Sequence, residues 1–283
     1  MRYHPNELLE RYVEVSSLPM IHYRISEAVN DPRASMPAIG KVIGEDPGLT
    51  VRLLRLVNSA FYNFPSKIET ITQALVIIGT RQLCDLALGT SVTTMFNGIP
   101  EDLVSMESFW RHSVACGIAA KALATYRREP NIERFFVMGM IHDVGRLIIY
   151  KKIADQGREV LLRCKSSGGP MYLMEQEMIG FDHAGLGRML LQSWKLPPGI
   201  VEAVAFHHQP RGARRYPVEA AVVHVADLIA NAMQSGSSGE RFVPPLVGEA
   251  WELLGLSTSI LPLVLDHIEQ HVNEMLHSIL IEP

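Results

Sequence analysis

Cysteine is scarce in this chain. Cys84, Cys116 and Cys164 are the only three in 283 residues, widely spaced, odd in number and without a C-x-x-C pair. That argues against a disulfide framework and predicts reduced core thiols in a cytoplasmic protein. An excess of charge of either sign is also missing. The formal net charge is −4, so the chain as a whole offers no electrostatic footprint for nucleic acid, although a local basic patch stays open. No apolar run approaches the ~18–20 residues of a membrane span, and the start lacks a charged-then-apolar leader pattern, so neither a span nor secretion is expected. Strand signals are missing too: there is almost no period-2 alternation and no Asn-Gly or Asp-Gly hairpin. What remains is helical patterning in a chain that is 47% apolar and 20% charged, long enough for a real core. The expected fold class is all-α.

Helix signals punctuate the whole length. Two short helices are expected in residues 1–40, broken at Leu18-Pro19-Met20 and ended by Asn30-Asp31-Pro32. Asp46 followed by Pro47 reads as an N-cap and first helical position, and Gly79 as a C-cap between two further helices. Phe135–Ile149 reads as one helix, apolar on every side, with His142 and Asp143 in its middle. An isolated buried carboxylate would cost several kcal/mol, so that pair needs a partner or a metal. Gln234-Ser235-Gly236-Ser237-Ser238-Gly239 has the composition of a flexible linker. The last helix carries Leu261, Leu265, Ile268, Val272, Met275 and Ile279 in an amphipathic stripe. That stripe suits packing on its own domain, with a homodimer seam as the other reading.

The first half carries a spaced signature: Leu18-Pro19, Glu45-Asp46-Pro47-Gly48-Leu49-Thr50, Leu53–Ser59, Ile71-Thr72-Gln73-Ala74-Leu75 and Ile78-Gly79. In these positions the chain resembles the HDOD family, a helical signalling output module related to HD-domain metal-dependent phosphohydrolases. The resemblance spans about residues 13–231. It implies an HD-domain-like bundle with an N-terminal helical part (13–100) and an HD-like metal-binding part (106–231); composition and periodicity add a C-terminal helical extension (240–283) beyond it.

The second half holds the chemistry. His112, His142, Asp143, His183, His207, His208 and Asp227 each fall in or beside apolar or small segments. Mixed imidazole and carboxylate donors suit iron, manganese or zinc, and a carboxylate can bridge two cations that together activate water toward a phosphate ester. One cation is assigned to His112, His142, Asp143 and Asp227. The second is assigned to His183, His207 and His208, with Asp143 bridging. Two divalent transition metal ions are expected, iron or manganese ahead of zinc. His224, His267 and His271 are read as non-ligands.

The order H…HD…H…HH…D is similar to that of HD-GYP phosphodiesterases, with departures. Where that family has HD-x-G-K, the last position is Arg146, an expected phosphate contact of different geometry from lysine. Where it has HHE-x-x-DG-x-GYP, residues 207–217 keep Tyr216-Pro217 but carry Gln209 and the arginines Arg211, Arg214 and Arg215. These three could receive nucleotide phosphates, since guanidinium matches phosphate. Ser108 replaces an acid that some members use for a third metal. The resemblance implies a regulatory output protein acting through a signalling partner. The alternative is a metal-dependent phosphohydrolase or phosphodiesterase acting on a nucleotide such as a cyclic dinucleotide.

Overall fold

The structure, a computed structural model, describes residues 18–96 and 98–280. The expected first helix and the Val13 start of the domain lie outside them. Every regular element among the described residues is a helix. Contacts divide the chain into two compact units: one is Phe96–Ile268, the other Leu18–Met95 with the described residues from Glu269 onward.

The second of these units contains α1 (Met20–Asn30), α2 (Met36–Gly44), α3 (Pro47–Val57), α4 (Ile71–Ile78) and α5 (Thr80–Thr93). Local chemistry sets the boundaries. Asp46 accepts the Leu49 N–H ahead of Pro47, and Thr70 with Gln73 forms a reciprocal capping box. Gly79, at φ +102°, turns the chain between α4 and α5. Ile25, Ile43, Leu49, Leu53, Leu56 and Leu75 are buried. The loop after α3 is tied to the chain's last helix: Ser59 Oγ lies 3.5 Å from Met275 Sδ, and Glu274 accepts the Ala60 N–H at 2.9 Å.

The other unit contains α6 (Met106–Arg127), α7 (Ile132–Ile141), α8 (Val144–Lys152), α9 (Ala154–Ser167), α10 (Met171–Met178), α11 (His183–Ser193), α12 (Pro198–Phe206), α13 (Pro217–Ala232) and α14 (Gly248–Leu254). The last helix, α15 (Leu261–Leu280), is divided between the two units. Four of the six stripe residues, Ile268, Val272, Met275 and Ile279, are buried within the chain, while Leu261 and Leu265 are half-buried.

Two expectations are corrected. The central segment is not one helix: α7 ends at Ile141, and α8 begins at Val144 after Asp143 takes φ −95° and ψ 10°. Consecutive residues on a continuous helix point about 100° apart and cannot face one target; the break brings both side chains into one cluster. The segment 234–239 is not a flexible linker. Ser237 donates its N–H to Ser108 O at 3.1 Å, Tyr150 donates to Ser238 O at 2.8 Å, and Ser238 is buried. Gly236 and Gly239 have positive φ, and an added Cβ would sit 2.3 Å from Ser108 O and 2.2 Å from the Tyr150 hydroxyl, respectively. Glycine there serves close approach rather than flexibility.

Candidate metal centre

Close helix contacts made by glycine assemble the centre. α6 and α7 meet where an added Cβ on Gly139 would fall 2.7 Å from Cys116 O, and one on Gly117 would fall 2.8 Å from Phe136 O. This approach carries His112 of α6 to His142. α8 meets α11 at Gly145, whose Cβ would lie 2.0 Å from His183 O. That approach carries His183 to Asp143. His207 and His208 follow the end of α12, and Asp227 sits in the middle of α13.

All seven expected ligands converge. His112 Nε2 lies 3.2 Å from Asp227 Oδ1 and 3.9 Å from Asp143 Oδ2. His142 Nε2 lies 3.4 Å from each of those oxygens. The other oxygen of Asp143, Oδ1, is 3.1 Å from His183 Nε2 and 3.7 Å from His207 Nε2. His208 Nε2 is 2.9 Å from His183 Nε2. Asp143 thus presents one oxygen to each set of histidines. Two groups have donor atoms all within 4.8 Å of one another and could each hold a metal: His112, His142 and Asp143, and Asp143, His183, His207 and His208. Donors each roughly 2.1 Å from one cation lie roughly 3–3.4 Å apart, close to these spacings.

Hydrogen bonds behind the rings fix which nitrogen faces inward. His142 Nδ1 donates to Gly139 O at 2.6 Å, and His207 Nδ1 donates to Val204 O at 2.7 Å, each to the carbonyl three residues back. His183 Nδ1 donates to Glu175 Oε2 at 2.6 Å, and the same oxygen accepts the His183 N–H at 2.8 Å. With both rings neutral, as metal ligation requires, His183 and His207 would point lone pairs at each other across 3.3 Å. His142 Nε2, both ring nitrogens of His112 and Asp143 Oδ1 are buried without a hydrogen-bond partner. Buried polar atoms are rarely left this way, and a cation at the focus would satisfy them. The donor set fits divalent transition metal ions.

The electrostatics show the same demand for positive charge. Burial opposes charge on Asp143, yet Arg146, His142 and His183 hold its carboxyl well below the usual range. Burial likewise opposes charge on Asp227, and the adjoining His112 and His142 rings, 3.2 and 3.4 Å away, hold it low. Burial works against protonated His142, but Asp143 and Cys116 raise it well above its ordinary value. Burial and Arg146 lower His183, while Glu175 and Asp143 carry it up to about 9. Burial, then His142 and His183, push His207 down to about 3; burial, then His207 and His183, also lower His208. Without a cation the cluster draws protons onto two of its rings.

Other expected residues fall around this focus. Arg146 is buried and shared: Nε is 3.3 Å from Asp143 Oδ1, Nη1 donates to Ser238 Oγ at 3.0 Å, and Nη2 is 3.8 Å from Glu240 Oε2. Arg211, Arg214 and Arg215 lie on an exposed loop, where Arg211 pairs with Glu249 and Arg215 lies over the Tyr216 ring. His224 donates from Nδ1 to His207 O at 2.7 Å and accepts the Val247 N–H at Nε2. Both its nitrogens are used, which keeps it out of the cluster. Sequence reasoning missed Glu175, Ser238 and Glu240. Glu175 had a signal: Met171, Glu175 and Ile179 recur every four residues on one buried face.

The family model for the HDOD domain matches residues 15–210. The chain belongs to the HDOD family. A candidate phosphohydrolase from Shewanella amazonensis shares 25% identity and a TM-score of 0.75, with 96% of each chain covered. An HDOD domain protein of unknown function from Geobacter sulfurreducens has the same TM-score and coverage at 20% identity. An uncharacterized protein of Treponema pallidum (strain Nichols) is 22% identical over 211 residues, 74% of this chain. The HDOD chain spans 40% of that relative's length.

Proposed function

We propose that this HDOD protein is an HD-type metal-dependent phosphohydrolase or phosphodiesterase. It would hold two divalent cations, iron or manganese ahead of zinc, and act on a phosphate ester of nucleotide type such as a cyclic dinucleotide. The observation that carries this reading is Asp143, with one oxygen toward His112 and His142 and the other toward His183 and His207. His112, His142, Asp143 and Asp227 would hold one cation; His183, His207, His208 and the bridging Asp143 would hold the other. Cations held there supply Lewis acidity toward phosphoryl oxygens. The chain's own residues do the rest. Arg146 fixes the Asp143 carboxylate and would meet developing charge on phosphate. The exposed Arg211, Arg214 and Arg215 begin three residues after His208, and we assign them to the phosphates of a larger substrate. The Shewanella relative's description as a candidate phosphohydrolase supports this class.

Burial favours a second reading. His112, His142, His183 and His207 have no solvent-exposed surface, as suits a metal that stabilises or senses in a cytoplasmic signalling protein acting through a partner. Two measurements decide. Protein purified without added metal should carry about two transition-metal ions per chain, and a His142→Ala/Asp143→Ala variant should carry none; equal contents would overturn the metal centre. Hydrolysis of an aryl phosphodiester and of cyclic dinucleotides with manganese or ferrous iron should be lost in that variant. A metal-loaded wild type without turnover would leave the signalling reading.

A further inference from the structure

One cleft in the unit that holds the metal centre has no role in it. It has a volume of about 510 Å³, in the ~300–1,000 Å³ range of small-ligand sites. Its charged lining is Lys165 and Arg241 together with Arg158, which is already paired with Asp102, the one acid of the lining, and with Asp155. Two of its three lining hydroxyls are set to donate to a ligand, the third, on Ser237, being spent on Glu240 O. Ser105 Oγ accepts the Ser108 N–H, and Ser108 Oγ accepts the Ser237 N–H at 2.9 Å, which leaves each O–H hydrogen for a ligand. Leu103, Val104 and Leu161 complete the lining with Leu162, an apolar residue left 66% exposed. Cations and hydroxyl donors beside an apolar wall select an anion that carries an apolar body.

The cleft is wired to the metal centre. Ser237 and Gly239 line it. Between them, Ser238 accepts from Arg146 Nη1 at 3.0 Å, and Arg146 Nε lies 3.3 Å from Asp143 Oδ1. Two side chains separate the cleft wall from the candidate bridging carboxylate.

We propose that this cleft binds a phosphate monoester of mononucleotide size and that its occupancy is transmitted through Ser238 and Arg146 to Asp143. The binding half stands apart from the metal reading; the transmission half rests on it.

The test uses the full chain as purified, titrated calorimetrically with adenosine 5′-thiophosphate, which resists hydrolysis, and with adenosine. The thiophosphate should bind one to one and at least tenfold tighter than adenosine. Lys165→Glu with Arg241→Glu, both exposed positions, should weaken it tenfold or more without changing the melting temperature or metal content. Binding equal in wild type and the charge-reversed variant, or no saturable binding at millimolar concentration, overturns the site. For transmission, metal affinity measured by chelator competition should shift at least fivefold when the cleft is saturated, because linkage is reciprocal. Ser238→Ala should keep the binding and lose the shift. Binding with no shift in wild type overturns the transmission, while a chain that carries no metal refutes the metal reading and leaves the binding result intact.

Discussion

Glu175 shows what a single side chain contributes to the cluster. Its Oε2 accepts both the ring and the backbone N–H of His183, fixing the tautomer and the direction of Nε2. Outer carboxylates of this kind typically change metal affinity by about 10–100-fold. Glu175→Gln should lower affinity by about that factor in chelator competition while the helical circular dichroism is kept; unchanged affinity would remove the orienting role. His22, in the other unit, is a second residue with a readable consequence. Burial drives its pKa down to about 4 from an ordinary 6.5, and its Nδ1 has no hydrogen-bond partner. The unfolded chain accepts a proton that the folded one refuses, so its effect on stability is adverse only in acid. Its share of stability is kept above pH 6.5, falls as pH drops toward 4 and levels off below. His22→Leu should flatten the urea midpoint across that window relative to wild type. Parallel midpoints in the two proteins would refute the assignment.

Among the elements, the decisive feature is the break between α7 and α8. An uninterrupted helix would send His142 and Asp143 in different directions; the turn at Asp143 lets them share a focus. Glycine then sets the distance between helices. Gly145→Ala would drive a methyl group into the His183 carbonyl, 2.0 Å away, and α8 could accommodate it only by moving off α11. Overpacking of this kind costs about 1–3 kcal/mol or more. The variant should lose at least about 2 kcal/mol in urea unfolding and bind metal more weakly. A wild-type midpoint would show that the two helices separate freely.

For the molecule as a whole, the candidate metal centre brings a concentration of buried ionisable groups, which costs stability unless they are paired or bound to a cation. Asp143, Asp227, Glu175, Arg146 and the histidines are all buried in one unit. A bound cation stabilises the folded state by its binding free energy, about 4 kcal/mol at a thousandfold excess over Kd. Stripping metal with a chelator should therefore lower the melting temperature by several degrees, reversibly on adding manganese or ferrous iron. The His142→Ala/Asp143→Ala variant should show no such response. A wild type whose melting ignores chelator would argue against a structural share for the ions. Among the described residues no single helix is long and apolar enough to cross a membrane.

Sequence alone was enough for the helical class and the caps at Asp46 and Gly79, and it singled out the seven residues that the fold brings together, because periodicity, N-cap chemistry and ionisable groups stranded in apolar segments are local signals and the order of the seven matched a family pattern. Tertiary structure decided the rest. The break at Asp143 was illegible because Phe135–Ile149 carries no proline, and Asp143, although it stands at the N-cap of α8, makes no side-chain cap bond and lies in an unbroken apolar run. The segment 234–239 has linker composition, yet its glycines are there for contact with Ser108 and Tyr150, which lie far away in the chain. Arg146 was read as a phosphate contact; that Ser238 and Glu240 also stand beside it is decided only by the fold. Composition reports what a residue can do; which partner it meets depends on contacts between residues distant in sequence.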